Sequence, residues 1–254
     1  MTILDTQSTA PSAMAQFLAI IYGVTAFALT FAFFANFIIF LGNLPALSDP
    51  WVVPTVDIGS SVHPALAVII DLALVALFGL QHSLMARPSF KRWWTQIVPK
   101  GLERSTYVMA ASAAGFALVW FWQPIPLVIW DVSGALETFL WIVFAAGWLI
   151  LLWSVIAFDI FALLGVRQAF AWAQGNPPPA PRLVTGGPYR LFRHPMYVGV
   201  LLGIWVTPHM TVGHMLIGAA FTAYILIARR YEERDLRQTF GAAYGSAQPP
   251  RQPH

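Results

Sequence analysis

Arg193, His194, Pro195, Tyr197 and Gly199 stand in one short stretch, "RHPMYVG", at the mouth of an apolar run, and Glu232 and Glu233 stand just past its far end. Proline is favoured as the first residue of a helix, because it lacks the N–H that the helix leaves unpaired there. The pattern therefore predicts a helix start at Pro195, with Tyr197 and Gly199 on the first turn and Arg193 and His194 just outside. Free backbone N–H groups beside an arginine suit an anion such as a carboxylate or phosphate. Carboxylates take a diol through two hydrogen bonds, as they do for ribose in dinucleotide folds. If the apolar run doubles back on itself, the basic pair and the acidic pair face one pocket. A ligand suited to that pocket carries both charges together with hydroxyls. S-adenosyl-L-methionine does so, with its carboxylate, ammonium, sulfonium and ribose diol. A plainer reading stands beside this one. Arginines at span boundaries serve as topological anchors, and Glu232 with Arg229 or Arg230 at helical spacing is an ordinary surface pair worth little.

Other polar residues stand within or beside apolar sequence. His82 closes the second apolar run, and Asp159 and Arg167 follow the fourth. Asp71 lies inside the second run, where a carboxylate is costly and faces protein interior; a functional and a structural role are equally open to it. His209 and His214 suggest a metal site at first glance. With no nearby carboxylate and no third histidine, no metal is expected there. The chain has no cysteine, which excludes disulfides, thiolate ligands, a cysteine nucleophile and palmitoylation.

The elements that must position these residues are membrane spans. Of the 254 residues, 58% are hydrophobic, 15% aromatic and only 10% charged, whereas soluble domains carry about 25% charged residues. The apolar residues fall in blocks long enough for a bilayer core of about 30 Å. The reading is an all-α integral membrane protein of about five transmembrane segments, a single domain over residues 1–254. Its spans are 14–41, 63–86, 107–122, 134–158 and 196–228, with a break near Pro208. The stretch before residue 14 has no Lys or Arg and does not fit a cleaved signal. All 14 basic residues lie in residues 87–104, 167–193 and 229–251, while the connections 42–62 and 123–133 hold only Asp49, Asp57 and Asp131. The positive-inside rule puts the three basic stretches in the cytoplasm. The last block then starts and ends inside, which predicts a helix-bend-helix hairpin with a short first arm. Residues 173–187, rich in Pro and Gly, read as an irregular loop, residues 229–240 as helix-compatible, and residues 245–254 as a frayed tail.

The strings "GPYRLFRHPMYVG", "YEERDL" and "FGAAY" together resemble the isoprenylcysteine carboxyl methyltransferase superfamily of multi-span membrane enzymes. "QHSLMARPSFKRWW", "ERSTYV", "FDIFALLGVRQ" and "TPHMTVGH" narrow the resemblance to bacterial methanethiol S-methyltransferases, over about residues 81–244. After Tyr244 the chain departs from that pattern: "GSAQPPRQPH" replaces a further tyrosine and a Val-Pro stretch. The resemblance implies S-adenosyl-L-methionine as cofactor, a small thiol as substrate and dimethyl sulfide as product. It implies that Arg193, His194, Tyr197, Gly199, Glu232 and Glu233 bind the cofactor. A thiol acceptor must lose its proton, since the thiolate is the nucleophile, and the sequence offers His82, Arg167 and Asp159 for that task without choosing among them.

The partners expected are thus a small-molecule thiol and the lipid bilayer, with no nucleic acid and no metal. The place expected is a bacterial inner membrane, with the active site facing the cytoplasm. Three other readings compete: the same cofactor with a prenylcysteine carboxylate or other lipid-like acceptor, a non-catalytic membrane protein of the denitrification-associated kind, and a nicotinamide-dependent reductase. The last should need more basic residues for its phosphates than Arg190 and Arg193 supply.

Overall fold

Uncharged apolar runs have no water to satisfy their backbone inside a bilayer, so they close every hydrogen bond within a helix. The computed structural model describes residues 11–44, 54–180 and 182–246 and is mostly helical. The long helices are α1 (Ala13–Gly42), α2 (Pro64–Ala86), α4 (Glu103–Phe121), α5 (Ala135–Phe158) and α9 (Val212–Phe240). Shorter ones are α3 (Pro88–Trp94), α6 (Ile160–Leu163), α7 (Val166–Ala173), α8 (Pro195–Trp205) and α10 (Ala242–Ser246). Of these, α1, α2, α5 and α9 are long and apolar enough to cross a bilayer. Their outward faces carry large exposed apolar side chains, among them Phe17, Ile69, Leu80, Ile142 and Leu149. So much apolar surface facing outward marks contact with lipid rather than water.

Proline and glycine set the boundaries. Pro64, Pro88 and Pro195 each open a helix. Asp159, at φ 82°, ends α5 and starts α6 by accepting from the Ala162 amide at 3.2 Å; aspartate tolerates this left-handed backbone because its short side chain bonds locally. The core is aromatic: Phe33, Phe37, Phe40, Trp122, Phe144, Trp148 and Phe221 gather from α1, α5, α9 and the end of α4. The main helix contacts are α5 with α8, α1 with α4 and α7, and α2 with α4 and α9. In the first of these, Gly199 of α8 lies against α5 so closely that an added Cβ would stand 2.7 Å from the Gly147 carbonyl oxygen. Small residues that let helix backbones touch are a common means of association in membranes.

Two features differ from the sequence expectation. A short antiparallel ribbon joins β1 (Val128–Asp131) to β2 (His209–Thr211), with Trp130 opposite Met210. The break at Pro208 frees the main chain of the next residues, and the loop after α4 satisfies it. Then α9 runs unbroken from the apolar block through the charged segment to Phe240, where the sequence suggested two segments. Asp49 and the tail after Ser246 lie outside the described residues.

Candidate active site

The N-terminus of α8 meets the charged end of α9. His194 is the N-cap residue of α8, and no side chain caps the first amides of that helix. Its Nε2 lies 3.2 Å from Glu233 Oε1, and its Nδ1 lies 3.8 Å from Glu232 Oε2. The Tyr197 hydroxyl donates to Glu232, and the Tyr197 ring stacks on His194 at 5.5 Å. Arg229 and Arg237, one helical turn to either side, reach Glu233 at 3.4 Å each. Glu233 is thus gripped by three cationic or potentially cationic groups and is only 18% exposed, whereas Glu232 is 45% exposed and retains accessible oxygen. Glu232 also lies within electrostatic reach of Tyr189, Tyr224 and Tyr107. Burial, reinforced by that negative charge, pushes the Tyr189 hydroxyl up to about 12.

Of the residues expected to bind cofactor, His194, Tyr197, Glu232 and Glu233 therefore come together. Arg193 is adjacent and half-buried, within electrostatic reach of Tyr244. Gly199 faces α5 instead, where its missing side chain permits helix contact. Arg229 and Arg237 are additions: as exposed arginines at a span end they read from sequence as anchors, and only the i,i+4 spacing to Glu233 hinted at more.

Asp159, Arg167 and His82 separate into two places. Arg167 Nε pairs with Asp159 Oδ2 at 2.6 Å across the α5–α6–α7 turn. Partial burial disfavours the Asp159 charge, but the Arg167 hydrogen bond and charge, with backbone donors, outweigh it and hold the carboxyl below its usual range. His82 lies between α2 and α4, its Nε2 2.8 Å from the Tyr107 hydroxyl and its ring stacked on Phe78. Arg104 sits over the Tyr107 ring, 4.9 Å from its centroid, and donates to the Leu163 carbonyl at 2.6 Å. On α9, Tyr224 accepts from Ser83 beside His82 at 3.4 Å. Tyr107, Arg104 and Tyr224 were not singled out by the sequence, although the first two sit in the "ERSTYV" string.

At the opposite ends of the helices a second polar network forms. Asp57 accepts from Thr211 at 2.6 Å and from Asn43 at 3.0 Å. His209 Nδ1 lies 3.2 Å from Asp131 and its Nε2 3.9 Å from Asp57. The expectation that no carboxylate stands near these histidines is thus corrected: the ribbon brings Asp131 opposite His209. The two ring nitrogens nevertheless point to different carboxylates, and His214 Nε2 donates to the Ile204 carbonyl at 2.7 Å. Among the described residues no three ligating side chains converge on a metal position. Burial pushes the Asp57 carboxyl up, against the opposing pull of Thr211, His214 and His209. Asp71 is fully buried and accepts from the Gln123 amide at 2.9 Å, tying α2 to the segment after α4, which is a structural role.

The family described as phospholipid methyltransferase matches residues 141–243, the stretch from α5 to α10 that holds the histidine–glutamate cluster. A protein of Bradyrhizobium diazoefficiens named methanethiol S-methyltransferase 2 is 41% identical, over 91% of this chain and 86% of its own length. One of Mycobacterium tuberculosis named methanethiol S-methyltransferase is 40% identical, over 91% of this chain and 93% of its own. One of the same name from Crocosphaera subtropica is 35% identical over 94% and 91%. No solved structure matches. Similarity at this level along nearly the whole length means that the chain belongs to the methanethiol S-methyltransferase family.

Proposed function

We propose that this protein moves the methyl group of S-adenosyl-L-methionine to methanethiol, releasing dimethyl sulfide, at a site beside the α8–α9 end. The observation that carries the reading is the joining of His194, Tyr197, Glu232 and Glu233 into one cluster at the open start of α8. The names of the relatives supply the acceptor.

The donor set fits the cofactor on both of its polar ends. Glu232, partly exposed and oriented by Tyr197, is placed to accept a ribose diol. The Met196 amide in the first turn of α8, which no side chain caps, suits a carboxylate with Arg193 nearby. Glu233 is neutralised by His194, Arg229 and Arg237 and holds the two helix ends together. When bound, S-adenosyl-L-methionine supplies an electrophilic methyl on a sulfonium, open to in-line attack by a thiolate. The protein's part is to align the two reactants, which supplies much of the acceleration, and to exclude water so that fixed charges act strongly.

The α8–α9 pair serves as the helix-bend-helix hairpin. Contacts run from His194–Glu233 at one end to Trp205–Thr222 at the other, so the two helices are antiparallel. At 11 residues, or roughly 16 Å, α8 is too short for a full crossing, and α5 supports it. α9, with 29 residues, spans about 44 Å and projects past a core of about 30 Å. Its last turns, with Glu232 and Glu233, stand beyond the lipid. α4 provides the fifth span, enclosed by α1 and α2. Arg87, Lys91, Arg104 and Arg229 gather at this same end, which by the positive-inside rule supports a cytoplasmic site in a bacterial inner membrane.

The test is acceptor choice. Purified protein in lipid nanodiscs, given methyl-labelled S-adenosyl-L-methionine, is offered methanethiol, a prenylcysteine or phosphatidylethanolamine in parallel. Label is expected in dimethyl sulfide; label in either lipid-like product with none in dimethyl sulfide overturns the acceptor assignment.

A further inference from the structure

The nitrogen of His82 that faces away from Tyr107 is buried and has no hydrogen-bond partner among the described residues. Two arrangements satisfy the 2.8 Å contact on the other side: the ring donates from Nε2 to the Tyr107 oxygen, or the phenol donates to Nε2. The second puts the imidazole proton on Nδ1, as a buried N–H with no acceptor. The first leaves the phenol O–H free to turn to another acceptor, whereas the second leaves a ring N–H that cannot turn, and orphaned buried donors are rare. The first arrangement leaves Nδ1 as a bare lone pair.

The surroundings of that lone pair suit a small apolar thiol. Phe78 stacks on His82 at 5.5 Å, and Tyr224 meets Phe78 edge-on at 6.3 Å. Tyr224 comes this close because Gly79 has no side chain; a Cβ there would stand 2.9 Å from the tyrosine ring. Sulfur makes favourable contacts with aromatic rings. Arg104, held over Tyr107 and tied to the Leu163 carbonyl, fixes a positive charge near the same place. Glu232 lies roughly two helical turns, about 12 Å, beyond Tyr224 on α9, and its charge reaches both Tyr224 and Tyr107, so these aromatic side chains lie towards the cofactor cluster.

Resting on the function proposed above, the geometry points to His82 Nδ1 as the base that takes the thiol proton, with Tyr107 as the positioning residue that fixes the tautomer. The thiol S–H bond breaks, its proton passing to Nδ1 and its electron pair staying on sulfur. That sulfur forms a bond to the methyl carbon while the sulfonium C–S bond breaks, its pair leaving with the departing thioether. His82 then returns its proton to solvent, and the charge of Arg104 steadies the thiolate in between.

Two readouts test this. The first needs no substrate: with the histidines labelled with nitrogen-15, NMR of the full-length protein should show, beside the His214 ring that donates from Nε2 to the Ile204 carbonyl, a further ring bare at Nδ1 and protonated at Nε2, that of His82. That signal should vanish in His82→Gln and become a tautomer mixture in Tyr107→Phe. The second is the pH profile of dimethyl sulfide formation. General-base catalysis is typically worth about 10²–10⁴-fold, and loss of tautomer control should remove part of it. Tyr107→Phe is expected to lower kcat roughly 10- to 100-fold near neutral pH with unchanged KM for the methyl donor. The deficit should shrink as pH rises towards the pKa of the thiol, where thiolate forms unaided. A Tyr107 that merely fills space would lower the rate equally at every pH. That result, or a His82 ring protonated at Nδ1 in the parent, overturns the assignment. A parent with the expected tautomer but no dimethyl sulfide would instead overturn the function on which it rests.

Discussion

Glu233 shows how one carboxylate can be held without being spent. His194, Arg229 and Arg237 surround it, while Glu232 keeps an open oxygen and takes its orientation from the Tyr197 hydroxyl. A hydrogen bond to a charged group contributes about 1.5–3 kcal/mol. Tyr197→Phe should therefore weaken binding of S-adenosyl-L-methionine by roughly tenfold to a hundredfold, read by equilibrium dialysis with labelled cofactor; unchanged affinity would remove Tyr197 from the site. The Asp159–Arg167 pair bears on stability. Its carboxyl is held below the usual range in the folded protein, so the stabilisation is present above the unfolded value of about 3.9 and is lost as pH falls through the lower folded value. Asp159→Asn should unfold at a lower temperature than the parent near neutral pH, with the gap closing under acid; a gap constant with pH would contradict the pairing. Both residues of the pair were legible as polar groups near a span end. Their mutual contact was not, because it depends on the left-handed turn at Asp159.

At the scale of elements, the contact of α5 with α8 decides whether the start of α8 is presented correctly. Gly147 and Gly199 bring the two backbones together, and an added methyl has no room. Overpacking costs typically 1–3 kcal/mol. Gly199→Ala should reduce thermal stability by about that much, measured in detergent, and should weaken cofactor binding only indirectly through a shifted His194; a fully stable variant would contradict the close contact. The sequence read Gly199 as part of the cofactor site because it shares a motif with His194 and Tyr197. Nothing in one sequence says which face of a helix meets another. The apolar runs, the start of α8 at Pro195 and the break at Pro208 were legible, since bilayer thickness and the chemistry of proline dictate them. The ribbon of β1 and β2 was not, because its pairing joins segments far apart in the chain, each too short to show a pattern of its own.

For the whole molecule, the histidine–glutamate cluster stands at one end and the polar network of Asp57, Asp131 and His209 at the other. The basic residues of α2 to α4 and of α9 share the first end, through Arg87 over Tyr231 and Lys91 with Glu103. Asp57, Asp131 and His209 share the second. A reporter fused after Lys100 should be cytoplasmic and one fused after Trp130 external; the reverse would turn the site to the other compartment. Charge distribution made this polarity legible before any helix was placed. The doubling back of the last apolar block also predicted that His194 and Glu233 lie at one end; the register of α8 against α9 that sets their direct contact was not legible. The most direct test of the central claim is headspace detection of dimethyl sulfide from cells given methanethiol, comparing the parent with His194→Ala at matched membrane expression. Product from the parent and little or none from the variant is the expected result. Equal production by both would contradict the account, because the cluster on which it is built would then be dispensable.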